Sequence, residues 1–190
     1  PADLDSAEKS RERLTYDEAF LLQLLLLTRR KELKGLDAVA RPAVTGGLLS
    51  EFDKTLPFEL TAGQKSVAAE IENDLAQPHP MNRLLQGEVG SGKTIVALRA
   101  MLTVIDNGGQ AALLAPTEVL AAQHLRTIQK LLGDLSQGGM LGGREIATQV
   151  TLITGSQNAA SRKEALALTA SGAAGIVIGT HALSGCLLYT

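Results

Sequence analysis

The densest chemistry in the chain lies in Gly87-Glu88-Val89-Gly90-Ser91-Gly92-Lys93-Thr94, which fits G-x-x-x-x-G-K-[ST], the phosphate-binding loop. Glycine at these positions lets backbone N–H groups turn inward around phosphate oxygens, where a side chain would intrude. A helix beginning at Lys93 points its positive end at the same anion. Lys93 is expected to lie along the β- and γ-phosphates and Thr94 to offer its hydroxyl to Mg²⁺, so these two are the candidate catalytic residues, with Thr94 as metal ligand. The chemistry is nucleoside triphosphate binding.

The flanks suit that role. Arg83-Leu84-Leu85 reads as the end of a strand over 83–86, and Ile95 to Leu102 continues as a helix over about 93–106. A βα alternation surrounds the loop: helix at 62–76, strand at 110–115, helix at 118–132, strand at 149–153, helix at 160–170 and strand at 175–179. Ala112-Leu113-Leu114-Ala115 and Ile176-Val177-Ile178 are continuous apolar runs, as in a parallel sheet covered on both faces. The fold class is therefore α/β. The Gly-rich stretch 133–144 reads as loop.

Ahead of this lies a helical segment. Thr15-Tyr16-Asp17-Glu18 reads as a capping box opening a helix that runs to Lys34, with Gly35 as terminator. Its broad apolar face, including Phe20, Leu24 and Leu27, calls for a packing partner. Residues 36–56 look like a connector, and a domain boundary is expected near Thr55. Ser161 to Glu164 is a further capping-box candidate.

Composition narrows the classes. Of 190 residues, 45% are hydrophobic and 20% charged, enough apolar material for a core. Net charge is −2, so any nucleic-acid contact must be local. The single Cys186 excludes an internal disulfide, and the three histidines are too scattered for a zinc site. The Leu21–Leu27 run is too short to span a bilayer, so no membrane partner is expected, and a reducing cytoplasm is the default compartment. The chain opens on Pro1, which reads as an internal piece of something longer.

Other clusters stand at strand ends. In Phe58-Glu59-Leu60-Thr61-Ala62-Gly63-Gln64, Gln64 can pair its amide with the N6 and N7 edge of adenine. Thr61 and Gln64 equally make a capping box, and the two roles can coexist. Thr117, in Ala115-Pro116-Thr117-Glu118, is a natural N-cap whose helix start could grip a phosphate. Thr154-Gly155-Ser156 and Thr180-His181 sit where open α/β sheets bind ligands. No acid after Lys93 closes an apolar strand, so the carboxylate that P-loop ATPases use to hold Mg²⁺ and orient water is missing from the chain.

In this order the segments resemble superfamily 2 helicases, and among them the RecG family of DNA helicases. The residues that carry the resemblance are Leu56-Pro57-Phe58 with Leu60-Thr61 and Gln64, Met81 with Arg83 to Thr94, Ala115 to Glu118 with Leu120-Ala121 and Gln123-His124, Thr154 to Ser156, and Ile176 to Leu183. The resemblance implies an incomplete RecA-like P-loop lobe over 55–183, preceded over 1–54 by a helical linker from a wedge domain. It implies ATP and Mg²⁺ as cofactors, held by Phe58, Gln64 and Gly87 through Thr94. A DNA track would involve Pro116, Thr117, Glu118, Gln123, Thr154, Gly155, Thr180 and His181. The partner would be branched double-stranded DNA, such as replication forks and Holliday junctions, worked on in recombination and repair by a monomeric motor in a bacterial cytoplasm. Residues 184–190 depart from the family pattern and form an atypical tail. The piece by itself is expected to hydrolyse no ATP. The transcription-repair coupling translocase shares this motor type, and a P-loop kinase or transport ATPase not acting on DNA, or a plain interaction module, is the alternative from another class.

Overall fold

The computed structural model describes residues 3–138, 146–181 and 183, so residues 139–144 of the Gly-rich loop, Ala182 and the tail over 184–190 lie outside the described residues. The chain divides into two compact units, Pro1–Ala40 with Gln77–Asn82 and Arg41–Ala76 with Arg83–Thr190.

The first unit is built on α1 (Leu4–Lys34), one uninterrupted helix capped by Asp3, whose side chain accepts from the Ser6 amide. The expected start at Thr15 does not occur. Thr15 lies inside the helix, where its hydroxyl donates to the Arg11 carbonyl at 3.0 Å. Gly35 ends the helix without entering the left-handed region, with φ −81°.

In the second unit, α2 (Leu48–Thr55) replaces the second half of the expected connector. Leu48, Leu49 and Phe52 are buried. Gly47 has no side chain with which to cap this helix, and the cap comes from Asp106 at the end of α4. Its carboxylate accepts from the Leu48 amide at 2.6 Å and from the Leu49 amide at 3.0 Å. A Cβ on Gly47 would sit 2.5 Å from that carboxylate, which is why glycine stands there. The next helix, α3 (Ala62–Leu75), opens with the anticipated capping box: the Gln64 amide donates to Thr61 Oγ1 and the Thr61 amide to Gln64 Oε1. Then α4 (Lys93–Asp106) follows the phosphate loop and buries Ile95, Val96, Leu98 and Leu102. Arg99 ties the three helices together, reaching Asp53 of α2 and Glu72 of α3.

The sheet holds β1 (Ala111–Leu114), β2 (Gln149–Ile153) and β3 (Ala174–Gly179), all parallel in the order β1-β3-β2. α5 (Glu118–Leu132) connects β1 to β2, and α6 (Ala159–Ala170) connects β2 to β3. Every residue of β3 is buried, as a central parallel strand requires. Gly175 is an extra residue in β3, because Gln149 pairs with Ala174 while Val150 pairs with Ile176. Its amide donates to Thr148 Oγ1 at 3.1 Å, so the bulge leaves no unsatisfied donor there.

Three expectations are corrected here. Residues 83–86 form no strand: a strand exists only through ladder bonds to a neighbour, and Leu84 is 83% exposed while Arg83 is drawn to Glu70 and Asp74 of α3. β1 is not covered on both faces, since Ala112 and Leu114 are exposed. And α6 is capped by Asn158, whose side chain accepts from the Ser161 amide, so Ser161 is the third helical residue and not the cap.

Candidate nucleotide and nucleic-acid sites

Local backbone chemistry shapes the phosphate loop. Gly90 and Gly92 adopt φ of 86° and 82°, in the left-handed region that only glycine enters without strain. Between them the Ser91 amide donates to the Glu88 carbonyl at 3.1 Å, which closes the turn. Lys93 then opens α4, and its ammonium donates to the carbonyls of Gly87 at 2.7 Å and Glu88 at 2.8 Å. The charge therefore rests inside the curl of the loop. The loop itself faces solvent from Gly87 to Ser91, with Val89 fully exposed.

Gln64 meets this loop. Its Nε2 donates to the Ser91 carbonyl at 2.9 Å while its Oε1 holds the Thr61 amide. A Cβ on Gly92 would collide with that same Nε2. Both polar atoms of the Gln64 side chain are thus engaged, and pairing with adenine requires them to be released. Thr94 is half-buried one residue into α4. Phe58 is half-exposed and lines two shallow grooves, one with Asp53 and Arg99, the other with Thr127 and Lys130. The donor set fits a nucleoside triphosphate with a divalent ion: an ammonium, glycine amides without side chains, a hydroxyl and open access.

The second cluster forms where three strands end together. Gly179 pairs with Leu114 on one side and Ile153 on the other, and the Ala115 amide donates to the Gly179 carbonyl at 2.8 Å. The turns that follow, Pro116-Thr117, Thr154-Gly155-Ser156 and Thr180-His181, therefore emerge at one end of the sheet. A groove of about 700 Å³ runs between the first turn of α5 and the turn after β2, lined among others by Glu118, Gln123, Arg126, Thr154 and Ser156. Pro116, Gln123 and His181 are exposed and Thr180 is half-buried. Thr117 accepts from the Leu120 amide at 3.3 Å and so serves as the predicted N-cap.

Thr154 is almost wholly buried, and its amide donates to Gln157 Oε1 at 3.0 Å. The Glu118 carboxylate accepts from the Ser156 amide at 3.0 Å and from the Ser156 hydroxyl. These bonds, the hydroxyl foremost and then the amide, hold its pKa below the usual carboxylate range. Sequence reasoning did not single out Ser156 as a working residue, nor Gln157 or Arg126. Ser156 stands inside a recognised tripeptide, but its partner lies 38 positions away.

Residues 61–186 match the DEAD/DEAH box helicase family model, and the chain belongs to that family. RecG helicases are among its relatives. It is 56% identical to the ATP-dependent DNA helicase RecG of Mycobacterium bovis over 93% of this chain and 24% of that protein. Against RecG of Synechocystis it is 44% identical over 96% of this chain and 21% of that protein. A solved structure of RecG bound to a three-way DNA junction superposes with a TM-score of 0.80 at 39% identity, over 97% of this chain and 24% of that one. The chain thus spans about a quarter of the length of these relatives. No helix among the described residues is long and apolar enough to cross a membrane.

Proposed function

We propose that this chain is the linker and nucleotide-binding part of the first motor lobe in a RecG-type ATP-dependent helicase that remodels branched DNA. One observation carries the reading. Lys93 and two left-handed glycines form an open anion-binding loop at the start of α4, and Gln64 is bonded to that loop. In this reading Gly87 to Lys93 hold the triphosphate, Thr94 binds Mg²⁺, and Gln64 and Phe58 border the base. ATP supplies the phosphoanhydride bond whose hydrolysis drives the motor. Lys93 compensates the phosphate charge, exchanging its loop carbonyls for phosphate oxygens, and the exposed loop admits the nucleotide without rearranging the core.

The sheet-end turns carry the nucleic-acid half of the reading. In this reading Gln123 and Thr154, which line the groove, and Thr117, Thr180 and His181, in the turns at the same end of the sheet, follow the DNA backbone. Residues 1–54 join this lobe to a wedge domain, and the whole acts as a monomer in a bacterial cytoplasm. The test is steady-state ATPase of the full-length protein with a synthetic three-way junction. Lys93→Ala removes a charge-assisted contact of about 1.5–3 kcal/mol and its share of transition-state stabilisation, so DNA-stimulated turnover should vanish. Unaltered turnover would refute the assignment.

A further inference from the structure

The groove at the sheet end is lined on one side by Glu118, whose carboxylate is bonded to the turn that lines the other. Glu118 sits in the first turn of α5, and both oxygens of its carboxylate are engaged. One oxygen accepts from the Ser156 amide and the other from the Ser156 hydroxyl. The Gly155 amide also bears on it, and a Cβ on Gly155 would stand only 3.4 Å from the carboxylate. Such charge-assisted bonds are short and directional, and two of them from one residue fix orientation as well as distance.

These bonds connect turns that no backbone ladder joins directly. β1 and β2 are not neighbours, because β3 lies between them. Their turns are set individually by short-range bonds. Thr117 caps α5, Gln157 braces the Thr154 amide and the Leu152 carbonyl, and the Arg162 guanidinium donates to the Thr154 carbonyl at 3.3 Å. The Glu118–Ser156 pair spans from one turn to the other across the groove.

We infer that Glu118 is a positioning residue: its carboxylate grips Ser156 and holds the turn after β1 and the turn after β2 at the separation a nucleic-acid backbone needs, without itself contacting DNA. The inference rests on the DNA reading of this groove. It revises the expectation that Glu118 is itself a contact. An anionic side chain in a phosphate track is repulsive. The Ser156 hydrogen bonds keep Glu118 ionised, so the charge remains and what the residue contributes to the track is its width.

The test uses the full-length protein, a fluorescein-labelled three-way junction and ATPase kinetics. Glu118→Ala should weaken junction binding about tenfold, the order of one lost hydrogen bond to a charged group. The KM for ATP should not move, since the bonds of Glu118 run to Ser156 and none to the phosphate loop. Glu118→Gln keeps an acceptor for the Ser156 amide and should bind within about threefold of the parent. Ser156→Ala should reproduce the Glu118→Ala defect, and the double variant should be no worse than either single one, the signature of two residues acting through each other. Junction binding that is unchanged or tighter in Glu118→Ala overturns the inference and leaves the DNA reading standing. A matched rise in the KM for ATP overturns it too, by exposing a general structural defect. A parent protein that binds no junction refutes the DNA reading and the inference with it.

Discussion

Replacing Gln64 with alanine separates two roles that the residue combines. In the free protein its side chain makes two bonds, one to the Thr61 amide at 2.9 Å and one to the Ser91 carbonyl at 2.9 Å. Reading the adenine edge also takes two bonds, and the same two atoms must make them. Nucleotide binding therefore exchanges two neutral hydrogen bonds for two others. Each is worth about 0.5–1.5 kcal/mol net, so the surplus left for base discrimination is about 1 kcal/mol or less. The restraint on Ser91 acts on the loop and is blind to the base. Fluorescence titrations of the full-length protein with mant-ATP and mant-GTP would measure both contributions. Gln64→Ala should weaken both nucleotides by less than about tenfold and change the ATP-to-GTP preference by less than about tenfold. A loss of hundredfold or more confined to ATP would show that the exchange argument is wrong and that the adenine bonds form without breaking the internal ones.

The remaining predictions concern the backbone and the caps. Gly92→Ala adds a left-handed strain of about 1–2 kcal/mol to a collision with Gln64, whereas Gly90→Ala meets no atom within 4 Å and carries the strain alone. Mant-ATP affinity should therefore fall further for the first than for the second, and equal losses would contradict the role given to Gln64 at the loop. Asp106→Ala leaves the Leu48 and Leu49 amides without an acceptor and should destabilise α2 by about 1–2 kcal/mol. Hydrogen exchange at those two amides should accelerate by roughly tenfold relative to α5, which has its own cap. Unchanged protection would show that the packing of Phe52 suffices to hold this helix.

Much of the fold was legible because the deciding interactions are local. α4 and α5 run as the apolar period and the flanking residues indicate, and Thr61 and Thr117 cap the helices they were expected to cap. Both depend on contacts three or four residues apart. The same kind of evidence misled at Thr15 and Ser161, where a sequence compatible with a cap lies inside a helix already started upstream by Asp3 or Asn158. A capping box is read from four residues, but its use depends on whether the chain before it is already helical. The strand expected before the phosphate loop failed for a different reason: the apolar pair Leu84-Leu85 suits a strand, yet only a neighbouring strand makes it one.

By itself the sequence determined the phosphate loop, because Gly90, Gly92 and Lys93 act through their own backbone conformations and one side chain, all within a few residues. It likewise determined the helicase family, which the loop and the sheet-end turns spell out in linear order. Tertiary structure decided the partners. Asp106 caps a helix 58 positions upstream, Gln64 reaches Ser91 across 27, and Glu118 meets Ser156 across 38. Such pairs leave no periodic trace, since the separation between them is set by how β1, β3 and β2 lie side by side and by how the helices pack, and those arrangements form only when the apolar surface of the whole unit is buried together.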